Sequence, residues 1–323
     1  MKNKLLAVMA IFGMVASASA VKINNNLSIN GFIDGSYAVT EATNKSQSLE
    51  IDEVEVNFVL NVGSVSGLVA VDSALDGNGG STNLGIEQAH FTYNINDAVS
   101  ATFGRYGAAL GFEREDPAGL YTYSRAYSED AFNLGNVDAN VVEGLTLAYS
   151  ADAYSIAVSL ENQAGAEADL QDNDLDFEIS FTYTGIAGVN IGGGVFLDNE
   201  ESGNKETDAV NVHISRQFGK LLLAGEYTQL DTSLNGAAAG PANTEEERDA
   251  YLILADYDVN DKLGVALRLS SNEKVDAGGD YDKFTIAPNY AITESLGAIL
   301  EFSDIDDAGT DSEEYAVELT YTF

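Results

Sequence analysis

The chain has 323 residues, with 15 Lys and Arg against 52 Asp and Glu, for a formal charge of −37. Charge of this sign repels phosphate backbones and excludes direct nucleic-acid binding, while the absence of cysteine excludes a disulfide framework and Cys-ligated zinc or iron–sulfur sites. Disorder, the usual companion of such acidity, is opposed by 45% hydrophobic residues, 16 tyrosines and 14 phenylalanines.

Residues 1–20 have the layout of a cleaved signal peptide. Lys2 and Lys4 form a basic start, Leu5 to Val15 an apolar stretch, and Ala18-Ser19-Ala20 a small-residue cleavage site. A membrane-anchor helix is the alternative, but the apolar run falls short of the ~20 residues that a helical span needs. Cleavage removes two bases and no acid, leaving 13 against 52 and a net charge of −39 on residues 21–323. Export of this kind points to a bacterial envelope or extracellular destination.

From there on the chain reads as strands. Apolar and polar residues alternate, the period-2 pattern of a sheet with two unlike faces. Segments of this kind fall near 27–40, 47–60, 67–75, 84–95, 98–106, 140–151, 153–162 and 174–184, then 187–198, 207–218, 220–230, 247–258, 262–272, 281–291, 295–304 and 313–323. In 176–184, Phe177, Ile179, Phe181 and Tyr183 alternate with Asp176, Glu178, Ser180, Thr182 and Thr184. In 210–217, Val210, Val212 and Ile214 alternate with Asn211, His213, Ser215 and Gln217. The last segment sets Tyr315, Val317, Leu319, Tyr321 and Phe323 against Glu314, Ala316, Glu318, Thr320 and Thr322. Most segments are near the 9–11 residues that a tilted strand needs to cross a bilayer.

The connections alternate in length. Tight links fall at 61–66, 96–97, 151–152, 185–186, 219, 259–261 and 291–294; longer acidic or glycine-rich links fall at 41–46, 76–83, 107–139, 163–173, 199–206, 231–246, 273–280 and 305–312. Short turns on one rim and long loops on the other are the plan of an outer-membrane barrel. The predicted fold is therefore an all-β, transmembrane antiparallel barrel of about sixteen strands with short periplasmic turns and long extracellular loops. Alternation alone also fits a soluble sheet protein with its polar face outward. Tyr93, Tyr149, Tyr154, Tyr183, Tyr257, Tyr290 and Phe302, near strand ends, fit aromatic girdles and favour the membrane barrel.

Residues 87–97, Glu87-Gln-Ala-His-Phe-Thr-Tyr-Asn-Ile-Asn-Asp, and 101–113, Ala101-Thr-Phe-Gly-Arg-Tyr-Gly-Ala-Ala-Leu-Gly-Phe-Glu113, resemble the strand–turn–strand signature of the OmpL-like β-barrel porins. His90 stands where that signature has a tyrosine. The terminal Phe323 behind alternating aromatics resembles the signal by which such barrels are recognised for insertion. The resemblance implies a bacterial outer membrane location and a homotrimer. It also implies that the longest loop, 107–139 after the fifth strand, folds into the lumen as a constriction. Glu113, Arg114, Glu115, Asp116, Arg125, Glu129 and Asp130 would then line the narrowest point. The other reading is that this loop covers the outer rim or a subunit contact.

At about sixteen strands a barrel leaves an aqueous path, and rings of Asp and Glu favour cations over anions. Asp34, Glu53, Glu55, Glu178 and Glu226, with few bases beyond Arg268, are the candidate lumen-lining residues. Strict alternation from Phe103 points Arg105 outward, whereas a bulge at Gly104 would turn it into the lumen. His90 and His213 sit on polar strand positions and read as solvated lumen residues, and no nucleophile motif accompanies them. No enzyme activity and no cofactor are expected. The acid-rich stretches Asp304–Asp311 and Asp169–Asp174 read as solvated loops; binding of divalent cations such as calcium is the alternative, although neither has the Gly and Glu spacing of a calcium loop. The expected function is a porin passing small hydrophilic solutes by diffusion, with cation preference, in contact with outer-membrane lipid and lipopolysaccharide. A non-conducting surface adhesin or structural barrel is the alternative.

Overall fold

A computed structural model describes residues 20–74, 85–113, 117–127, 141–163, 175–199, 205–234, 244–274 and 279–323. Residues 1–19 of the expected signal peptide, 1–20, lie outside the described residues. A two-residue arm, β1 (Val21–Lys22), pairs with the start of β2 (Leu27–Glu41). The wall then continues through β3 (Ser46–Val62), β4 (Val65–Ala74), β5 (Gly85–Asn94), β6 (Val99–Gly107), β7 (Val141–Ser150), β8 (Tyr154–Gln163) and β9 (Asp176–Tyr183). It is completed by β10 (Val189–Leu197), β11 (Lys205–Phe218), β12 (Leu221–Leu234), β13 (Thr244–Asp258), β14 (Leu263–Lys274), β15 (Tyr281–Ala291), β16 (Leu296–Asp307) and β17 (Thr310–Thr322). Each strand pairs antiparallel with the next, and β17 pairs back onto β2, so β2–β17 form a closed ring of 16 strands. At the seam Gly31 and Phe323 exchange both backbone hydrogen bonds, each at 3.0 Å.

Closure settles which face is outside. Phe103, Leu147, Val212, Leu269 and Leu319 are exposed on the outer wall, and Ile253 reaches 62%. Inward positions are polar and buried: Asp34, Glu55, Thr102, Thr146, Glu178, Asn211, and Thr285 at 0%. This is the arrangement of a barrel in lipid, the reverse of a soluble one. The wall keeps its alternation through β6. Gly104 has φ +128°, yet it stays in register opposite His90 and Gly144, and no bulge forms. Arg105 therefore faces outward, where its guanidinium lies 3.8 Å from the Glu143 carboxylate and its Nε donates to the Glu87 carbonyl at 2.7 Å.

Several tight turns share one construction. Asn96 Oδ1 accepts from the Ala98 and Val99 amides at 2.9 and 3.0 Å. Asn260 Oδ1 accepts from Lys262 and Leu263 at 3.0 and 3.2 Å, and Thr293 Oγ1 from Ser295 at 3.1 Å. A short side-chain acceptor at the first turn position satisfies amides that the sheet no longer reaches. Asn24 does the same for Asn26 and Leu27 at the turn between the arm and β2. On the opposite rim the link expected over 305–312 is instead a two-residue turn, because β16 and β17 remain paired up to Asp307 and Thr310. Ala308 and Gly309 both have positive φ, 53° and 80°, as a type I′ turn requires. The period-2 pattern hides this turn, since aspartates on an extended hairpin look like loop residues.

An alanine in the left-handed region is strained by about 1 kcal/mol relative to glycine. Ala308→Gly should therefore raise the unfolding free energy by about that amount, and Asn96→Ala or Asn260→Ala should lower it by about 1 kcal/mol each. Shifts of the urea midpoint for protein refolded in lipid vesicles measure all three.

Candidate functional site

After Gly107 the chain turns into the barrel. Ala109 packs on Tyr106, Ala148 and Ala157, and its backbone hydrogen-bonds Glu178. Leu110 fills an apolar socket of Phe196, Ala209 and Leu230. Gly194 makes room there, since a Cβ on it would come within 2.6 Å of Leu110 Cδ2. The Phe112 amide donates to Glu226 Oε1 at 2.6 Å, and its ring lies 6.0 Å from that of His213. A short 3-10 turn, Pro117–Gly119, follows. Residues 122–127 then reach the other side of the barrel. There Ala126 and Tyr127 pack with Leu252, Leu254, Ala224, Ala250, Ala266 and Ala287, and Tyr123 accepts from Ser36 Oγ at 3.2 Å. Burial pushes the Tyr123 phenol up to about 12 and raises that of Tyr127 as well.

One wall residue organises this side. Arg268, 1% exposed, donates from Nη1 to Glu113 Oε1 at 2.5 Å and to Thr122 Oγ1 at 2.7 Å. Its Nη2 donates to the Arg125 carbonyl at 2.8 Å and to Ser124 Oγ at 3.3 Å. Glu113 uses its other oxygen to accept from the Ala126 amide at 2.6 Å. One carboxylate thus ties the two described halves of the loop to each other and to β14. Glu301 accepts from the Ser124 amide at 3.2 Å and from its hydroxyl, and Ser270 donates to the Ala126 carbonyl. Lys283 Nζ lies 3.5 Å from both the Arg125 carbonyl and Glu314 Oε2. Charge-assisted bonds such as these are the strong ones and offset the cost of burying the guanidinium, whose Nε is buried without a partner among the described residues.

Glu113 and Arg268, expected in the loop and on the wall respectively, are therefore joined as one ion pair. Arg125 contributes its carbonyl to the clamp, while its guanidinium acts electrostatically on Asp34. Arg114, Glu115, Asp116, Glu129 and Asp130 lie outside the described residues. Asp34, Glu55, Glu178 and Glu226 are buried and face inward, as does Glu53 opposite Asp34. Asp34 accepts from Thr320 Oγ1 at 2.8 Å, Glu55 from Asn57, and Glu226 from Asn211 Nδ2 at 2.9 Å. Glu161, Glu318, Lys283 and the hydroxyls of Thr122 and Ser124 belong to the same interior and were not singled out from the sequence. Alternation carries the signal for Glu318, between Val317 and Leu319, and for Glu161, in phase with Ser155 and Ser159. The loop hydroxyls have no periodic signal.

Both histidines face inward. His90 lies edge-on to Tyr106 at 6.2 Å, and His213 Nδ1 is 3.3 Å from Asn211 Oδ1. Among the described residues no group of three or more His, Asp or Glu side chains is arranged to hold a metal ion. Asp169, Asp172 and Asp174 lie outside the described residues. Removing one partner of the buried clamp is expected to cost about 3–5 kcal/mol. Trypsin cleavage after Arg125 in the detergent-solubilised barrel should accelerate at least about tenfold in Arg268→Gln. The Arg268→Gln/Glu113→Gln double variant should recover part of that loss. Equal cleavage rates in all three proteins would show that the loop is held by other contacts.

Residues 23–317 match the family described as "Putative beta-barrel porin-2, OmpL-like". No curated protein matches the chain. Among solved structures, the outer membrane channel DcaP of Acinetobacter baumannii is similar, with a TM-score of 0.68 at 15% identity over 97% of this chain and 100% of that one. The anion-selective porin from Comamonas acidovorans gives 0.67 at 10% identity over 92% and 99%. The trimer form of OmpT from Vibrio cholerae gives 0.63 at 14% identity over 93% and 100%. At these identities the solved structures share the fold with this chain, and the family assignment rests on the sequence match. That match runs from ahead of β2 into β17, and the chain belongs to the OmpL-like β-barrel porins of the bacterial outer membrane.

Proposed function

We propose that the protein is a passive, water-filled diffusion channel for small hydrophilic solutes that prefers cations, with no enzymatic activity. The observation that carries the preference is the charge balance of the inner wall. Arg268 and Lys283, its buried bases, are both drawn onto the loop segment and onto Glu113 and Glu314. Asp34, Glu161, Glu178, Glu226, Glu301 and Glu318 are also buried on the inner wall, and no Lys or Arg forms a salt bridge with these six among the described residues. Carboxylates without a basic partner draw compensating charge from solution, which raises the local cation concentration along the path.

In this reading the loop from Ala109 to Tyr127 narrows the channel, the tight-turn rim faces the periplasm, and residues 1–20 are removed on export. The trimeric form of the Vibrio cholerae OmpT supports a homotrimer, and the loop rim would stand among lipopolysaccharide headgroups. The Comamonas porin is anion-selective on the same fold, so selectivity must come from the lining residues rather than from the barrel. Planar-bilayer recording under a salt gradient tests this directly. Stepwise conductance with a reversal potential of cation-selective sign is expected, and Glu226→Gln/Glu301→Gln should move that potential toward zero. Anion selectivity would overturn the charge argument, and silence at every voltage would overturn the channel.

A further inference from the structure

Asp304, Asp306 and Asp311 of the acid-rich 304–311 stretch stand on the outer wall. Asp304 and Asp306 alternate with the half-buried Ile305 along β16, and Asp311 lies directly opposite Asp306 on β17. On the other side Asp306 pairs with Asp282 of β15. Together they rim a groove of about 370 Å³ on the outer face. Its floor is apolar and open to the membrane: Ile253 and Leu269 are 62% and 55% exposed, and Phe284 and Tyr251 complete it. Floor and rim therefore meet where the lipid-facing band gives way to charge.

We propose that this groove holds a cationic amphiphile of the outer leaflet, its acyl chain along Ile253, Leu269 and Phe284 and its ammonium group among Asp282, Asp304 and Asp306. Charge complementarity selects that occupant. An anionic headgroup meets several carboxylates, and the basic residue at the groove, Lys283, has its amine 3.5 Å from Glu314 and the Arg125 carbonyl on the inner side. A second copy of this acidic chain would bring like charge against the rim. Asp306 also accepts from the Gly309 amide at 2.8 Å, so the test leaves it in place.

The chain has no tryptophan, so Phe284→Trp installs a single reporter in the groove and Leu145→Trp one on another part of the outer wall. Both are placed in phosphatidylcholine nanodiscs and titrated with a chain-brominated alkyltrimethylammonium or the matching alkyl sulfate. Half-quenching by the cationic probe should need about tenfold less probe at position 284 than at 145, as two partly screened charge contacts would give. Asp282→Asn/Asp304→Asn should erase that difference while heat-modifiable gel mobility stays unchanged. Equal quenching at both positions, or a difference that survives the Asn variants, would overturn the site. Quenching by the sulfate probe that appears only with added Mg²⁺ would overturn the cationic occupant in favour of a divalent-bridged anionic lipid.

Discussion

Inside hydrocarbon a strand edge would leave a row of N–H and C=O groups with no water to bind, each costing several kcal/mol. Nearly everything else in this molecule follows from removing that edge. The ring closes only if the last strand meets the first in register. Here Val317 pairs with Tyr37 and Glu318 with Ser36, and the C-terminal Phe323 completes the ladder on Gly31. With the backbone satisfied, a single period-2 pattern can assign lipid to one set of side chains and the interior to the other. The same closure confines the polar set to a space whose walls it also forms.

That confinement creates the interior's own problem, because charges facing one another across a barrel are neither fully hydrated nor automatically paired. The loop after β6 resolves it on one side. It brings a carboxylate, two hydroxyls and a carbonyl to Arg268, which is 1% exposed and would be costly unpaired. It is seated by apolar sockets as well, Leu110 between Phe196, Ala209 and Leu230, and Tyr127 against Leu252 and Leu254. Electrostatic and apolar contacts thus hold the loop at both ends of its crossing. The inner surface it leaves is acidic on balance.

The fold was legible because most strands obey the alternation strictly, as in Val210–Ser215 and Tyr315–Tyr321. Alternation alone does not say which face meets lipid, since a pattern of period two is symmetric until closure chooses a side; the aromatics near strand ends, such as Tyr93, Tyr149 and Tyr290, carried that signal. The loop's inward path left a trace that was easy to pass over. In Tyr251-Leu252-Ile253-Leu254-Ala255 and Val195-Phe196-Leu197 the alternation fails, because both faces are apolar. Those are the strands whose inward positions receive Tyr127 and Leu110. The Glu113–Arg268 pair, 155 residues apart in sequence, has no local signal; each partner could be nominated by charge and phase, but not matched.

The net charge of −37 is accommodated by where the outer wall permits carboxylates. Asp208, Asp231 and Glu247 lie opposite one another on three successive strands, as do Asp282, Asp306 and Asp311. Like charges in such rows are destabilising where nothing screens them. They are tolerable above the apolar band, where water and salt reduce repulsion within about 10 Å. Within the band a charge would cost about 2–4 kcal/mol near the midplane, and the outward Arg105–Glu143 pair accordingly sits at its upper edge, beyond Phe103 and Leu145. At the opposite rim Arg216 stacks over Phe218 at 4.4 Å, Lys262 lies over Tyr290 at 5.9 Å, and Lys220 donates to the Val259 carbonyl at 3.0 Å. Charges of both signs thus stand at the two rims and leave the apolar band between them, and the outer charges are set by dielectric depth as strictly as the inner ones are set by the loop.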